Sequence, residues 1–200
     1  APRLDVFPRL HPEVSVEFEN GGKVVDFGAS DADLALGLIC SQTSGIRRHE
    51  ILRPTVAPIC TPDLAEKIRT PEDLLSVALI GSRNRIPDWP RWLKAIGVPN
   101  AEQRPVLVFA SSNLVYEAAL AGAGVALGQI ELLLTELESG RLVRPLSVSL
   151  PEVDPFFIFE PEIRSRKRGV SRFRSWLLRE IEILNTRTQA YLDAQDTPRD

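Results

Sequence analysis

Residues 106–127 read VLVFASSNLVYEAALAGAGVAL, and this stretch decides the fold class. The apolar run at 106–110 predicts a strand, and the small and apolar residues that continue to Ala121 predict a helix. Gly122 and Gly124 end that helix, and a second strand is predicted at 125–127. A strand, a helix and a strand in this order are typical of an α/β protein with parallel strands.

The same alternation extends to both sides of this stretch. Apolar and alternating runs predict strands at 14–19, 34–39, 55–60, 77–80 and 156–159. Helical spacing predicts helices at 3–10, 24–29, 88–96, 131–138 and 170–184. The continuous apolar run at 34–39 suits a buried parallel strand. Thr61-Pro62 and Thr70-Pro71 each indicate a capped helix start, and Asp73 completes a capping box with Thr70.

Extended segments near 55–60 and 156–161 stand where the chain would cross between two small α/β lobes. Lobe I is predicted to comprise residues 1–58 and 156–190, with its first strand missing, and lobe II residues 59–155. Residues 191–200 form a polar tail that we expect to fray. The second lobe is thus expected to be an insertion within the first.

The chain has 200 residues, of which 44% are apolar and 26% charged, as is usual for a globular domain. Its net charge of −3 argues against a nucleic-acid-binding surface, and no apolar run reaches the roughly 20 residues of a membrane helix. No signal peptide is visible, and two cysteines suit a reducing compartment, so we expect a cytoplasmic protein. Because the chain starts at Ala1 and contains no Met, we expect it to be part of a longer translation product.

The sequence lacks the common catalytic and metal-binding patterns. It contains no G-x-S-x-G, no G-x-x-x-x-G-K-[ST] and no H-E-x-x-H motif. His11 and His49 belong to no His/Cys/Asp set at metal-ligand spacing. We therefore expect no enzyme activity, no catalytic residue, no metal and no cofactor. Cys40 and Cys60 are interpreted as buried structural cysteines.

The strongest local signal for a ligand is the strand end that leads into Ser111, Ser112 and Asn113. Free N–H groups at a helix start, together with hydroxyls and an amide, suit an anionic or polar ligand. In open α/β sheets, ligands bind at such strand ends. The alternative is that Ser111 or Ser112 serves only as an N-cap.

Two further segments carry positive charge. The loop after the strand at 77–80 contains Arg83 and Arg85, which either bind a carboxylate or lie solvated on the surface. The basic segment 164–174 either contacts phosphates or an acidic partner, or is a solvated loop and helix start. Trp89 and Trp92 are interpreted as core or lobe surface rather than as a stacking platform for a ligand.

An ordered series of short segments extends over residues 1–180. They are PRL at 2–4, FPRLHPEVSV at 7–16, DLAL at 33–36, APICTPDLA at 57–65, WPRW at 89–92, FASS at 109–112, EAA at 117–119, GAGVAL at 122–127, GRLVRP at 140–145 and FRSWL at 173–177. With these gaps, the series resembles the effector-sensing domain of LysR-type transcriptional regulators, particularly the glycine-cleavage-activator and AmpR-like branch.

This resemblance implies two Rossmann-like lobes as in type 2 periplasmic binding proteins, joined by two crossover strands. A small-molecule effector, with anions among the candidates, would bind in the inter-lobe cleft and bias a homodimer or homotetramer. DNA would be bound only through an N-terminal winged helix-turn-helix outside these residues, and no membrane partner is implied. The helices at 3–10 and 113–121 are the implied dimer surfaces.

The resemblance also implies which residues contact the effector. They are Ser82, Arg83, Ser111, Ser112, Asn113, Ile39 and Phe156. Phe156 stands where the family often has Tyr, and Gly37-Leu38-Ile39 replaces the usual Arg-x-Gly near the hinge. We therefore expect a less polar cleft floor than is usual in the family. Unchanged effector binding after both Ser112→Ala and Phe156→Ala would contradict this hypothesis.

Two other functional readings stay open at this point. A periplasmic solute-binding protein of the same fold would deliver its ligand to a transporter, and its gene would encode a signal peptide before residue 1. A regulator would instead encode a helix-turn-helix there. An enzyme on the same two-lobed fold would show turnover, although no acid or base residues for it can be named.

Overall fold

The computed structural model describes residues 3–19, 24–42, 44–99, 102, 105–152, 154–164 and 167–196. Contacts within the chain divide it into two units. The first unit contains residues 1–53 and 153–187, and the second contains residues 54–152 and 188–200. The chain therefore passes between the units after residues 53, 152 and 187, whereas the sequence-based division placed these borders after residues 58, 155 and 190.

Helices and short strands alternate along the described residues. In chain order they are α1 (Val6–Leu10), β1 (Val24–Val25), β2 (Ala35–Gly37), β3 (Ile39–Cys40), β4 (Ile46–Leu52), β5 (Thr55–Ile59), α2 (Pro62–Ala65), a 3-10 helix (Pro71–Ser76), β6 (Leu79–Ser82), a second 3-10 helix (Arg83–Arg85), α3 (Asp88–Ala95), β7 (Leu107–Phe109), α4 (Ser112–Leu120), β8 (Val125–Gln129), α5 (Ile130–Glu138), β9 (Leu150–Pro151), β10 (Phe156–Pro161) and α6 (Arg168–Asp196).

In the first unit, β10 lies between β2 and β4 and is antiparallel to both, while β1 and β3 pair in parallel. Ile158 of β10 is fully buried. The ring of Phe7 on α1 is also buried, and its centroid lies 5.0 Å from that of Phe173 and 5.3 Å from that of Trp176, both on α6. These aromatic contacts attach α1 to the long C-terminal helix.

In the second unit, the strands follow the order β7-β6-β8-β5-β9. β6 runs parallel to both β7 and β8, and β5 is antiparallel to β8 and β9. Since β6 and β7 are parallel neighbours with Ser82 opposite Phe109, both strands end at the same edge of the sheet. This edge is where ligands bind in open α/β sheets.

Both faces of this sheet are covered by apolar side chains. Val125 packs in one buried cluster with Trp89, Trp92 and Leu93 of α3. Its neighbour Ala126 packs in the other cluster, with buried residues of α4 and α5. Adjacent residues of a strand point to opposite faces, so β8 contributes to both cores and is buried along its whole length.

Most elements predicted from the sequence are confirmed. The strands at 55–60, 106–110, 125–127 and 156–159 are present, and the strand predicted at 77–80 is shifted to Leu79–Ser82. The helix at 88–96 is α3, and the helix start predicted at Thr70 begins a 3-10 helix. Its capping box is formed, with Asp73 accepting the Thr70 N–H at 2.8 Å.

Three predictions in the first unit are wrong. Residues 14–19 form no strand and have no strand partner among the described residues, because alternation alone cannot supply one. Residues 24–29 form no helix: Val24–Val25 pairs with β3, and the Asp26 side chain then accepts the Gly28 N–H at 2.8 Å, which closes a turn. The run at 34–39 splits into antiparallel β2 and parallel β3, with Leu36 and Ile39 about half exposed.

The stretch from residue 191 does not fray where expected. Helix α6 continues to Asp196, and Leu192 is buried within the cluster formed by α4, α5 and their strands. Thr188 is buried as well. Two buried side chains one turn apart therefore hold the last turns of a polar helix in place.

Candidate functional site

The junction of β7 and α4 begins with a helix cap. The Ser111 hydroxyl accepts the Leu114 N–H at 3.4 Å, so Ser111 is the N-cap of α4. Ser112 follows as the first helical residue and is half-buried, whereas Asn113 is exposed. Helix α4 therefore begins directly after β7, and Ser112 lies next to the end of that strand.

The end of β6 supplies the second polar segment. Ser82 is buried, and the chain turns directly into the 3-10 helix Arg83–Arg85 and then into α3. Trp89 fixes this turn, since its indole N–H donates to the Ile80 carbonyl at 3.0 Å within the core. The rings of Trp89 and Trp92 stack edge to face, 6.3 Å apart, and both are buried, which confirms the core interpretation.

A small cavity lies between these two strand ends. Its lining residues are Ile80, Gly81, Ser82, Arg85, Asp88, Trp89, Ser112, Val115, Tyr116 and Leu127. Its volume is ≈ 20 Å³, enough for one water molecule or one small functional group. A larger molecule would therefore place only one of its groups inside the cavity and leave the rest outside.

Charged side chains form one wall of this cavity. Arg85 donates from Nε to Asp88 and from Nη2 to Glu152. It therefore is not a solvated surface arginine, and the carboxylates that it binds belong to its own unit. Gln129 donates from its amide to the same Glu152 oxygen at 3.2 Å. Burial lowers the pKa of Arg85, but the Asp88 and Glu152 carboxylates outweigh it and raise this pKa overall.

Tyr116 connects this wall to the sheet. Its side chain is buried, and its hydroxyl accepts the Gln129 N–H at 3.4 Å. Burial raises the pKa of Tyr116, against the opposing effects of the Gln129 N–H and the Arg85 charge. The phenol is therefore neutral around pH 7 and stands beside a small polar cavity.

The structure brings together part of the predicted site. Ser82 and Ser112 line one cavity, while Arg83, Ser111 and Asn113 lie in the same two segments without lining it. Ile39 and Phe156 belong to the first unit, the former half exposed in β3 and the latter half-buried opposite Leu52 in β10.

Sequence reasoning missed Tyr116 and Asp88, which line the cavity, and also Gln129 and Glu152, which form hydrogen bonds behind Arg85 without lining it. Tyr116 lies one helical turn after Ser112, and Asp88 lies three residues after Arg85, so helical spacing was an available signal. Gln129 and Glu152 come from distant parts of the chain. No local pattern indicates them, because only the folded sheet brings them to Arg85.

Four basic side chains of the segment 164–174 have acidic or carbonyl partners in the first unit. Lys167 pairs with Asp33 at 2.7 Å, and Arg172 contacts Glu13. Arg164 donates to the carbonyls of Ser30 and Ala32, and Arg174 donates to the buried Glu160 at 2.7 and 2.8 Å. These side chains therefore hold neighbouring segments together, and they do not form a surface of free positive charge.

The two cysteines differ in their surroundings. Cys60 is fully buried, as predicted, but Cys40 is only partly buried, which corrects the interpretation for that residue. Burial raises the pKa of Cys60 to about 12. Within the described ranges, no group of three or more His, Cys, Asp or Glu residues is placed to hold a metal ion. No helix among those residues is long and apolar enough to cross a membrane.

A family model and curated relatives were compared with this sequence, and they agree on one family. A family model described as "LysR substrate binding domain" matches residues 1–182. The HTH-type transcriptional activator AmpR of Rhodobacter capsulatus is 32% identical over 178 residues, which are 88% of this chain and 60% of that protein. The glycine cleavage system transcriptional activator of Escherichia coli K12 is 30% identical over 182 residues, 88% of this chain and 59% of that protein.

Solved structures give the same result. The AmpR effector binding domain from Citrobacter freundii matches with a TM-score of 0.76 and 27% identity over 90% of both chains. The effector domain of AmpR from Pseudomonas aeruginosa matches with a TM-score of 0.75 and 27% identity, over 91% of this chain and 87% of that one. The chain spans about 60% of the length of the curated relatives it matches.

Proposed function

Because the chain belongs to the LysR substrate binding domain family, we propose that it is the effector-sensing domain of a bacterial LysR-type transcriptional regulator. It has the mixed α/β fold of that family, which is like that of periplasmic binding proteins. Relatives named as transcriptional activators favour this function over that of a periplasmic solute-binding protein. They also favour a role without catalysis.

The effector binds at the strand ends of the second unit in this proposal. The observation that carries it is the cavity lined by Ser82, at the end of β6, and by Ser112, at the start of the helix that follows the parallel neighbour β7. Arg83, Ser111 and Asn113 flank that cavity, and Ile39 and Phe156 of the first unit remain effector contacts by family resemblance. An anionic effector is the candidate developed further below.

The signal passes as a population shift. An effector changes the state of the protein only as far as it binds one state more tightly than another. The domain acts as a homodimer or homotetramer in the cytoplasm, and DNA is bound by a helix-turn-helix domain outside these residues. Leu10 on α1 and Leu114 on α4 are each at least half exposed, and such apolar side chains suit a subunit interface.

The coding sequence upstream of Ala1 tests this proposal against its alternative. A helix-turn-helix followed by a linker helix is the expected result, and footprinting of the complete protein on DNA would then follow. A signal peptide in that position would overturn the regulator assignment and make the chain a binding protein for transport.

A further inference from the structure

Two carboxylates contact the guanidinium of Arg85. Asp88, three residues later, contacts its Nε, and Glu152, 67 residues away in sequence, contacts its Nη2. All three side chains are largely buried, with 26%, 19% and 16% exposure for Arg85, Asp88 and Glu152. Asp88 is shared with Arg91, whose Nη1 lies 3.8 Å from Asp88 Oδ1, whereas Glu152 reaches Arg85 from a distant part of the chain.

Glu152 occupies a two-donor site. Its Oε2 accepts from Arg85 Nη2 and, at 3.2 Å, from the amide of Gln129, which is 94% buried. Converging guanidinium and amide donors are the arrangement that binds carboxylates in proteins. Arg85 also lines the cavity that contains the Ser82 and Ser112 hydroxyls, so the donors of this site and the cavity share one side chain.

We propose that Glu152 is an internal competitor, which occupies the anion subsite that a carboxylate group of the effector takes when it binds. This inference rests on the proposed function and names its ligand class: a molecule with a small, accessible carboxylate. The incoming carboxylate replaces Glu152 at Arg85 and receives hydrogen bonds from Ser82 and Ser112. The cavity of ≈ 20 Å³ has room for a small group beside Arg85.

The exchange has a consequence for the backbone. Glu152 is the last residue of the second unit before the chain passes to the first, and its N–H donates to the Pro54 carbonyl at 2.7 Å. Pro54 is the residue at which the chain enters the second unit. Release of the Glu152 side chain therefore removes one of the bonds that hold this segment to the second unit, and the state of the cavity is coupled to a connection between the units.

Acetate, a carboxylate of minimal size, is the probe. It is titrated at constant ionic strength into the 200-residue chain and into Glu152→Gln, Arg85→Gln and Glu136→Gln, and the apparent Kd is measured by amide NMR shifts. While Glu152 occupies the subsite, acetate cannot bind there, so the apparent Kd for acetate is the intrinsic Kd divided by the fraction of time that the subsite is free. Glu152→Gln should therefore lower the apparent Kd for acetate about tenfold or more. Arg85→Gln should lose the binding.

Glu136→Gln is the matched control, because Glu136 pairs with Arg141 on the surface of the same unit at 2.9 Å. Its apparent Kd should equal that of the wild type. Hydrogen exchange provides a second measurement. In the wild type, the amides at 148–152 should exchange faster when acetate is present. In Arg85→Gln, these amides should show the same fast exchange without acetate. If Arg85→Gln does not fold, the Glu152→Gln titration and the wild-type exchange decide.

Equal acetate affinity in the wild type and Glu152→Gln would overturn the proposal, as would exchange at 148–152 that acetate does not change. Absence of acetate binding in both chains would also overturn it. In that case the regulator assignment would still stand or fall by the upstream coding sequence, so the two failures are distinguishable.

Discussion

The carboxylate of Glu131 accepts the backbone N–H of Thr55 with both of its oxygens, at 3.0 and 2.9 Å. Thr55 is the first residue of β5, one position after the chain enters the second unit, and Glu131 lies in the first turn of α5. Glu131 is 93% buried. Glu131 thus binds the backbone at the start of the second unit, and Glu152, the last residue of that unit, is bound through its own N–H to Pro54.

Two substitutions of Glu131 should separate the effect of its hydrogen bond on stability from the effect of its charge. Burial raises the pKa of Glu131 above its ordinary value of 4.5, against the effect of its backbone hydrogen bonds. The folded chain therefore holds the proton more tightly than the unfolded chain. The stability that this gives is complete below pH 4.5 and is lost as the pH rises through the raised value. Glu131→Gln, which keeps an acceptor, should remove this loss.

Glu131→Ala should instead lower the free energy of unfolding by about 1–3 kcal/mol at every pH, because the partly buried Thr55 N–H loses its acceptor. Urea denaturation between pH 4 and 8 measures both variants. Parallel pH profiles for the wild type and Glu131→Gln would contradict the burial argument.

Breaking the ion pair between Arg174 and Glu160 should lower the free energy of unfolding more than breaking the exposed pair between Arg172 and Glu13. Glu160 is fully buried and accepts from Arg174, and the His49 Nε2 lies 3.6 Å from its Oε1. Arg174→Met should lower the free energy of unfolding by about 3 kcal/mol, since it leaves a buried carboxylate poorly paired. Glu160→Gln, added to Arg174→Met, should restore part of that loss.

Arg172→Met is the matched control, because Arg172 and its partner Glu13 are about half exposed. Its expected cost is about 0–1 kcal/mol. Thermal denaturation of the three variants provides the measurement. Equal effects of the Arg172 and Arg174 substitutions would show that the basic segment is uniformly solvated.

The two cysteines should react at very different rates. At pH 8 only about one Cys60 in ten thousand is a thiolate, given its pKa of about 12, and the side chain is fully buried. Iodoacetamide should therefore modify partly buried Cys40 in the native chain and reach Cys60 only after unfolding. Peptide mass spectrometry with Cys40→Ser as control distinguishes the sites. Native labelling of Cys60 would mean that the core of the second unit opens readily.

The dimer proposal makes a prediction about exposed leucines. Leu114 on α4 and Leu132 on α5 have exposures of 50% and 53% in the same unit. If α4 forms the subunit interface, Leu114→Glu should raise the dimer Kd about a hundredfold by burying a charge, while Leu132→Glu should leave it unchanged. Sedimentation velocity at several concentrations measures this. Equal behaviour of the two variants would remove α4 from the interface.

Local rules predict much of this fold and little of its charged wall. The Ser111 cap, the Thr70 capping box and the strands of the second unit follow from short-range chemistry, and the structure confirms them. The helix predicted at 24–29 fails because pairing with β3 and an Asp26 turn outweigh its weak periodicity. The partner of a strand can lie far away in the sequence. The apolar residues at 34–39 therefore could not show whether this segment pairs in parallel or antiparallel.

The candidate site shows the same division. Ser82 and Ser112 could be selected because each follows a predicted strand, and parallel strands end together. For Arg85 the sequence left carboxylate binding and a solvated surface position as alternatives, because its partner Glu152 and the Gln129 amide that also binds Glu152 come near only in the assembled sheet. Charge pairs of high sequence separation are determined by tertiary structure and leave no periodic signal.

The effector site itself can be tested with one comparison. A thermal-shift screen of small metabolites selects the compound that most stabilises the wild-type chain, and its Kd is then measured for Ser112→Ala and for Ser76→Ala, an exposed serine of the same unit. Loss of a buried hydroxyl contact should weaken binding by about tenfold in Ser112→Ala and not in Ser76→Ala. Amide shifts should centre on residues 80–85 and 111–116. Unchanged affinity in Ser112→Ala, with shifts elsewhere in the chain, would contradict a binding site at these strand ends.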